Sequence, residues 1–253
     1  RRNRYAKYLS EKLARKGYTY SEANEKMYDR NYFGAMMVEM GEADAMITGS
    51  YTRYMEAIKP AMDIIGMRDG VTNIAALNIL NTSKGVYFLA DTLVNDSPSA
   101  DVLAEIAVLT NETVKLFNEH PVMAMLSYSN FGADSTGNPC LVHDAVENLH
   151  KNHPEILVDG EMQVNFALDK KLRHEKFPFS KIDGMDVNTM VFPCLNSANI
   201  AYRMLMQMGM AESVGPVQMG LKKPVHVLDV EASVRDIVNM TTIAVIDAQL
   251  NNK

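Results

Sequence analysis

Short apolar runs recur along this chain, each closed by a polar loop and followed by a segment of helical period. That alternation restricts the fold to α/β with a mostly parallel sheet, because a parallel strand needs a long crossover, usually helical, before the next one. The strands read as 45–47 closing at Gly49, VYFLA at 86–90, VMAML at 122–126 and TMVF at 189–192. Thr19-Tyr20-Ser21-Glu22 has the spacing of a capping box and predicts a helix start. Phe33, Met36, Met37 and Met40 then recur at helical period, and Gly41 follows as an expected terminator. Ser97-Pro98 introduces a helix through about residue 117, and another covers about 197–208. Ser233 opens the last helix, with Asp236 three residues on. The expectation is a mostly parallel sheet with helices on both faces, in two lobes. In such sheets ligands bind beyond the strand C-terminal ends, so the loops after 47, 91, 127, 159 and 193 are the first places to look for function.

Composition excludes several classes. The chain has 253 residues, 47% hydrophobic and 22% charged, with a net charge of −6. That is enough chain for a real core, and it is not the composition of a disordered or fibrous protein. A mildly acidic chain is a poor binder of nucleic-acid phosphates. No stretch reaches about 18 consecutive apolar residues, so no membrane helix is expected. The basic start RRNRYAKYLSEKLARKG lacks an apolar core and contains Glu11, which speaks against a secretory or transit signal. Cys140 and Cys194 have no CxxC spacing, so two reduced thiols in a cytoplasmic protein are expected. The 19 methionines sit mostly at helix-core spacings and read as adaptable core filler.

No familiar catalytic signature occurs: neither a P-loop, a dinucleotide GxGxxG, an HExxH nor a GxSxG is present. His143, His150 and His153 cluster at roughly helical spacing and read as surface residues of a polar helix. Four polar loops remain. Gly49-Ser50-Tyr51-Thr52-Arg53-Tyr54 precedes a helix, where free N–H groups and Arg53 favour an anion, or where Ser50 or Thr52 is simply a cap. Ser127-Tyr128-Ser129-Asn130-Phe131-Gly132 offers hydroxyls, an amide and a glycine. Asp159-Gly160-Glu161 pairs two carboxylates, suited to acid–base or metal chemistry, though more often a turn at a helix start. Asn196, Asn199 and Tyr202 straddle a helix start, with Asn196 either a cap or the first of a polar stripe facing a cleft. Asp236 is either a general base or the acidic end of a capping box.

The order of these loops resembles the phosphate acetyl/butyryltransferase family over nearly the whole chain. The resemblance runs through GAMMVEMGEADAMITG (34–49), ADTLVNDSP (90–98), MLSYSNFG (125–132), VDGEMQVNFAL (158–168), FPCLNSANIAY (192–202), VGPVQMGLKKPVHVL (214–228) and SVRDIVNMT (233–241). It implies a two-lobed αβα three-layer sandwich with a ligand cleft between the lobes. Lobe one would comprise 1–66 plus 222–253 and lobe two 67–221, and the family's first strands and helices would precede Arg1.

The departures from the family pattern matter as much. The phosphate-binding stretch corresponds to 52–59, with Arg53 and Tyr54 where small hydroxyl residues are expected and Lys59 replacing an arginine. The family's STKG becomes Ser129-Asn130-Phe131-Gly132, without the lysine. The Ser-Arg pair that stabilises the transition state becomes Asp229-Val230, and a further arginine near CoA corresponds to Gln207. Of the catalytic groups only the general base survives, as Asp236.

This variant is similar to the C-terminal phosphotransacetylase-like domain of bacterial multidomain NADP-dependent malic enzymes, where the Arg-aromatic pair, SNFG and a late PxH also occur. That resemblance implies a cytoplasmic regulatory domain binding acetyl-CoA, or a related acyl-CoA, as effector. It also implies assembly as a homo-oligomer, a dimer here and a hexamer in the full enzyme. NADP and Mg²⁺ or Mn²⁺ would serve malic domains elsewhere in the same polypeptide. Arg53, Tyr54, Lys59, Ser129, Asn130, Asn196, Asn199 and Tyr202 are the effector-binding candidates. Alternatives are an active phosphate acetyltransferase using Asp236, and a purely structural assembly domain.

Overall fold

The structure, a computed structural model, describes residues 1–49 and 51–251. In chain order the elements are α1 (Arg2–Lys12), a 3₁₀ turn (Ala14–Lys16), α2 (Tyr20–Lys26), α3 (Arg30–Glu39), β1 (Met46–Gly49), α4 (Tyr54–Ile64), β2 (Ala75–Thr82), β3 (Gly85–Ala90) and α5 (Ala100–Leu116). There follow β4 (Met123–Leu126), α6 (Gly137–Asn152), β5 (Val158–Met162), α7 (Val164–Leu168), α8 (Lys170–Lys176), β6 (Thr189–Val191), α9 (Leu195–Gln207), β7 (Ala211–Met219), β8 (Val225–Leu228) and α10 (Val234–Asn251). They divide into two compact units, Arg1–Thr72 with Gly220–Lys253, and Asn73–Met219.

In the first unit β1 and β8 pair in parallel, Met46 with Val225 through Gly49 with Leu228. Helices α3, α4 and α10 pack on this pair. The Thr19 capping box is formed: its side chain accepts the Glu22 N–H while the Glu22 carboxylate accepts the Thr19 N–H at 2.8 Å. Helix α4 is amphipathic and buries Ala57, Ile58, Ala61 and Ile64. Tyr5, Leu9, Met36, Val225 and Val227 are also buried in this unit.

In the second unit six strands form one sheet in the order β5-β4-β6-β3-β2-β7. The run β5-β4-β6-β3 is parallel, and β2 is antiparallel to both β3 and β7. Strand alternation sends side chains to both faces. Leu89, Ala124, Leu126 and Met190 join a core cluster with Ala167 of α7 and Ala198 of α9. Phe88, the neighbour of Leu89, instead meets Phe117 at the end of α5, with ring centroids 6.0 Å apart. Helices α5 and α6 pack on each other and on the sheet. The unit is therefore a three-layer αβα sandwich.

One expectation is overturned here. Asp159-Gly160-Glu161 is no turn: it lies inside β5, with every residue of that strand buried. Gly160 has φ 150, and a Cβ there would sit 2.5 Å from the Met125 carbonyl oxygen. The glycine is present because β4 runs too close for a side chain, and not to turn the chain. No helix among the described residues is long and apolar enough to cross a membrane.

Candidate functional site

Strands β4 and β6 are neighbours, but their connections leave in opposite directions. The loop after β4 leads through α6 to β5 at one edge, and the loop after β6 leads through α9 to β7 at the other. Loops that diverge in this way mark the topological switch point at the strand C-terminal ends, where open α/β sheets take ligands. Ser129 and Asn130 stand in the first loop. Asn196 and Asn199 stand in the first two turns of α9.

The first loop is tightly tied to β5 and the residue after it. Ser129 is buried, and its hydroxyl accepts the Asp134 N–H at 3.1 Å. The Asn130 Oδ1 accepts the Gln163 N–H at 2.9 Å, leaving the amide nitrogen without a partner among the described residues. Gln163 donates to the Tyr128 carbonyl, and the Ser127 N–H donates to the Met162 carbonyl at 2.9 Å. Tyr128 OH donates to Asp134 at 2.8 Å, and that bond, with those from Thr136, holds the Asp134 carboxyl below its ordinary range. Phe131 packs tilted against Phe177 and edge-on to Phe179, at 4.8 and 5.1 Å between centroids.

The second loop belongs to a polar network. Asn199 donates weakly to the Thr92 carbonyl at 3.4 Å. The Thr92 hydroxyl donates to Asn78 at 2.6 Å, Asn78 donates to Ser213 at 3.3 Å, and Tyr202 OH donates to the same Ser213 hydroxyl at 3.1 Å. The Thr92 loop is itself shaped by Asp91, whose carboxylate accepts N–H groups of Ala76, Leu93, Val94 and Asn95. Burial raises the Asp91 pKa against these bonds. Asn196 is exposed in the first turn of α9, and the cap position belongs to Cys194. The cap reading of Asn196 is therefore replaced. The Ser197 hydroxyl bonds the Cys194 carbonyl at 2.8 Å.

The remaining candidates lie in the first unit. Arg53 is exposed at the N-cap of α4 in extended backbone (φ −65, ψ 147), with no capping bond from its side chain. Tyr54 begins the helix. Lys59 is exposed and pairs with Asp63 at 3.2 Å, a surface contact worth little. Ser50, the alternative cap, lies outside the described residues. Asp236 is occupied as a cap: its carboxylate accepts the Ser233 N–H and hydroxyl, both at 2.7 Å, and its own N–H donates to the Ser233 hydroxyl at 3.3 Å. Val230 is 60% exposed. Gln207 ends α9. Among the described residues no group of three or more His, Cys, Asp or Glu is placed to hold a metal.

The sequence reading missed Asn78, Thr92, Ser213 and Gln163, which shape both loops. Their signal is nonlocal, because each acts on a residue far along the chain. One histidine of α6 is also less exposed than a surface position implies. His150 is mostly buried, with its ring 2.9 Å from the Val158 carbonyl, and His143 reaches Glu161 at 3.3 Å.

The model of the phosphate acetyl/butaryl transferase family matches residues 1–245. The NADP-dependent malic enzyme of Salmonella typhimurium is 40% identical over 97% of this chain, which spans 33% of that enzyme's length. The Escherichia coli malic enzyme is 41% identical over 94% of the chain and 31% of its own length, and in both enzymes the match falls in the C-terminal region. The phosphate acetyltransferase of Bacillus subtilis is 35% identical over 91% of this chain and 71% of its own. The phosphotransacetylase structure from Streptococcus pyogenes superposes with a TM-score of 0.89 at 34% identity, covering 98% of this chain and 75% of its own. Sequence order, sheet topology and these likenesses agree: the chain belongs to the phosphate acetyl/butaryl transferase family, in the form found at the C-terminal end of NADP-dependent malic enzymes.

Proposed function

We propose that this chain is the regulatory domain of an NADP-dependent malic enzyme, binding acetyl-CoA as effector and holding the enzyme in its oligomer. What supports the reading is that the loops after β4 and β6 are polar and held by hydrogen bonds, while the resemblance puts Asp229-Val230 where the family has its transition-state Ser-Arg pair. Asn130, Asn196 and Asn199 offer amides suited to the pantetheine chain, and Arg53 offers a cation for a phosphate or the acyl carbonyl. Consistent with this, Val230 stands where the resemblance places the family's transition-state arginine, and a valine offers no charge to a developing anion. Malate oxidation, with NADP and a divalent metal, belongs to other domains of the same polypeptide. Acetyl-CoA would act by favouring one quaternary state over another, since only differential binding shifts an equilibrium.

The second reading, an active acetyltransferase, rests on Asp236 alone. An assay of acetyl transfer from acetyl phosphate to CoA separates the two. The regulatory reading expects no turnover above background, while acetyl-CoA still binds. Arg53→Ala is expected to weaken that binding by roughly 10- to 100-fold, the loss of one charge-assisted contact. Turnover at the rate of a working transferase, abolished in Asp236→Asn, would refute the regulatory reading.

A further inference from the structure

Glu161 is completely buried, yet it bonds the loop after β4 at two main-chain N–H groups. Its Oε1 accepts the Gly132 N–H at 2.6 Å, and its main-chain carbonyl accepts the Phe131 N–H at 2.8 Å. Phe131 and Gly132 have φ 46 and 80, two consecutive left-handed residues. A phenylalanine adopts that conformation only where its surroundings impose it. The two bonds from Glu161 supply that constraint.

The other carboxylate oxygen is differently placed. Glu161 Oε2 accepts no hydrogen bond among the described residues and lies 3.3 Å from Nδ1 of His143 on α6. That nitrogen likewise has no hydrogen-bond partner among them. The His143 side chain is 45% exposed, so solvent reaches its ring while the carboxylate is sealed. The other charged groups nearby are already engaged. On β5, Asp159 accepts the Ser180 hydroxyl and the Lys181 N–H, both at 2.7 Å, and lies 3.9 Å from His150. In the loop, Asp134 holds Tyr128 and Thr136. On α6, Asp144 faces Cys140 at 3.9 Å, and Glu147 is exposed. Arg173 of α8 spends its guanidinium on main-chain carbonyls. Neither β4 (MAML) nor α7 (VNFAL) carries a titratable side chain.

We propose that Glu161 and His143 form a proton-controlled latch on the loop 129–132. Protonated His143 gives the buried carboxylate a charged donor at Oε2, and the loop is held. Neutral His143 leaves the buried Oε2 without a charged donor, a loss that opening the loop to water offsets. The latch is therefore tight with His143 protonated and loose with it neutral. Because the loop carries Ser129 and Asn130, acetyl-CoA affinity would follow the same direction. That last step rests on the function proposed above, whereas loop order does not.

The test is amide hydrogen exchange of Phe131 and Gly132 in the whole chain, read by NMR as protection over the intrinsic rate at each pH. Wild-type protection is expected to be about tenfold higher at about pH 6 than at about pH 8, the weight of a charged hydrogen bond. His143→Ala and His143→Gln should both show flat profiles, the alanine variant at the lower level. Glu161→Gln keeps an acceptor for the Gly132 N–H but no charge, so it should also be flat, and it serves if His143→Ala does not fold. A pH-dependent protection that persists in the His143 variants, or none in wild type, overturns the latch. Acetyl-CoA titrated at both pH values then tests the coupling. A working latch with pH-independent affinity supports the latch and refutes its link to the ligand.

Discussion

Replacing Arg173 with alanine is expected to cost the second unit at least about 4 kcal/mol, the largest effect of any single side chain considered. Arg173 is fully buried, a rare state for a charged residue. Its Nη1 donates to the Phe166 and Ala167 carbonyls at 2.8 and 2.9 Å. Its Nη2 donates to the Ile182 carbonyl at 3.0 Å and also to that of Met185. One guanidinium thus closes the end of α7 and the irregular segment before β6, neither of which has a ladder to satisfy its main chain. Burial pushes the Arg173 pKa down, while Asp183, Asp186, Asp159 and Asp169 oppose the shift. The alanine variant removes the donors of four carbonyl bonds, of which only the Ile182 carbonyl keeps another among the described residues, from the Met185 N–H, and leaves a cavity of arginine size. Arg173→Lys has one ammonium and no planar fork, so it should recover less than half of the loss. Urea denaturation of the whole chain, followed by circular dichroism, measures both. A loss below about 1 kcal/mol for the alanine variant would show that these bonds do not hold the segment.

Gly49→Ala should be nearly as damaging, by more than about 3 kcal/mol or by failure to fold. Gly49 has φ 111 and pairs with Leu228 at the end of the β1–β8 ladder. An added Cβ would lie 2.1 Å from the Leu228 carbonyl oxygen and 2.8 Å from its nitrogen. Both obstacles are main chain, so no rotamer change relieves them. Gly66 is the control: its φ of 79 is also left-handed, but a Cβ added there would meet nothing within 4 Å. Gly66→Ala should therefore cost only the conformational penalty, about 1 kcal/mol. Equal losses at the two glycines would mean that the close approach at Leu228 is not what selects glycine at position 49.

Local signals carried most of the fold. The Thr19–Glu22 box, the strands β1, β3, β4 and β6 and the Ser233 cap all stand where sequence places them, because each depends on neighbours within a few residues. Strand β7 was not legible, since Gly215-Pro216 interrupts it and proline argues against a strand. The structure resolves the conflict by placing β7 at the sheet edge, where a missing N–H is tolerated. Strand β5 was hidden for the opposite reason: Asp-Gly-Glu has turn composition, but its glycine answers the approach of Met125 and its carboxylates are bonded to loop residues distant in sequence, Gly132 and Ser180. The loops of the candidate site were legible as loops. What was not legible was how they are held, because Asn78, Thr92, Ser213 and Gln163 act over long sequence separations. Arg173 shows the same limit: within KKLRHEK it reads as one more surface charge, and only tertiary packing buries it.

The central claim is that this chain binds acetyl-CoA without turning it over. Calorimetric titration of acetyl-CoA into the folded chain, with free CoA as the control and with Arg53→Ala in parallel, tests it most directly. The expected result is saturable binding at one site per chain, weakened in the Arg53 variant, with no acetyl phosphate formed when phosphate is present. Absence of binding by the folded chain, or binding accompanied by release of CoA and acetyl phosphate, would contradict it.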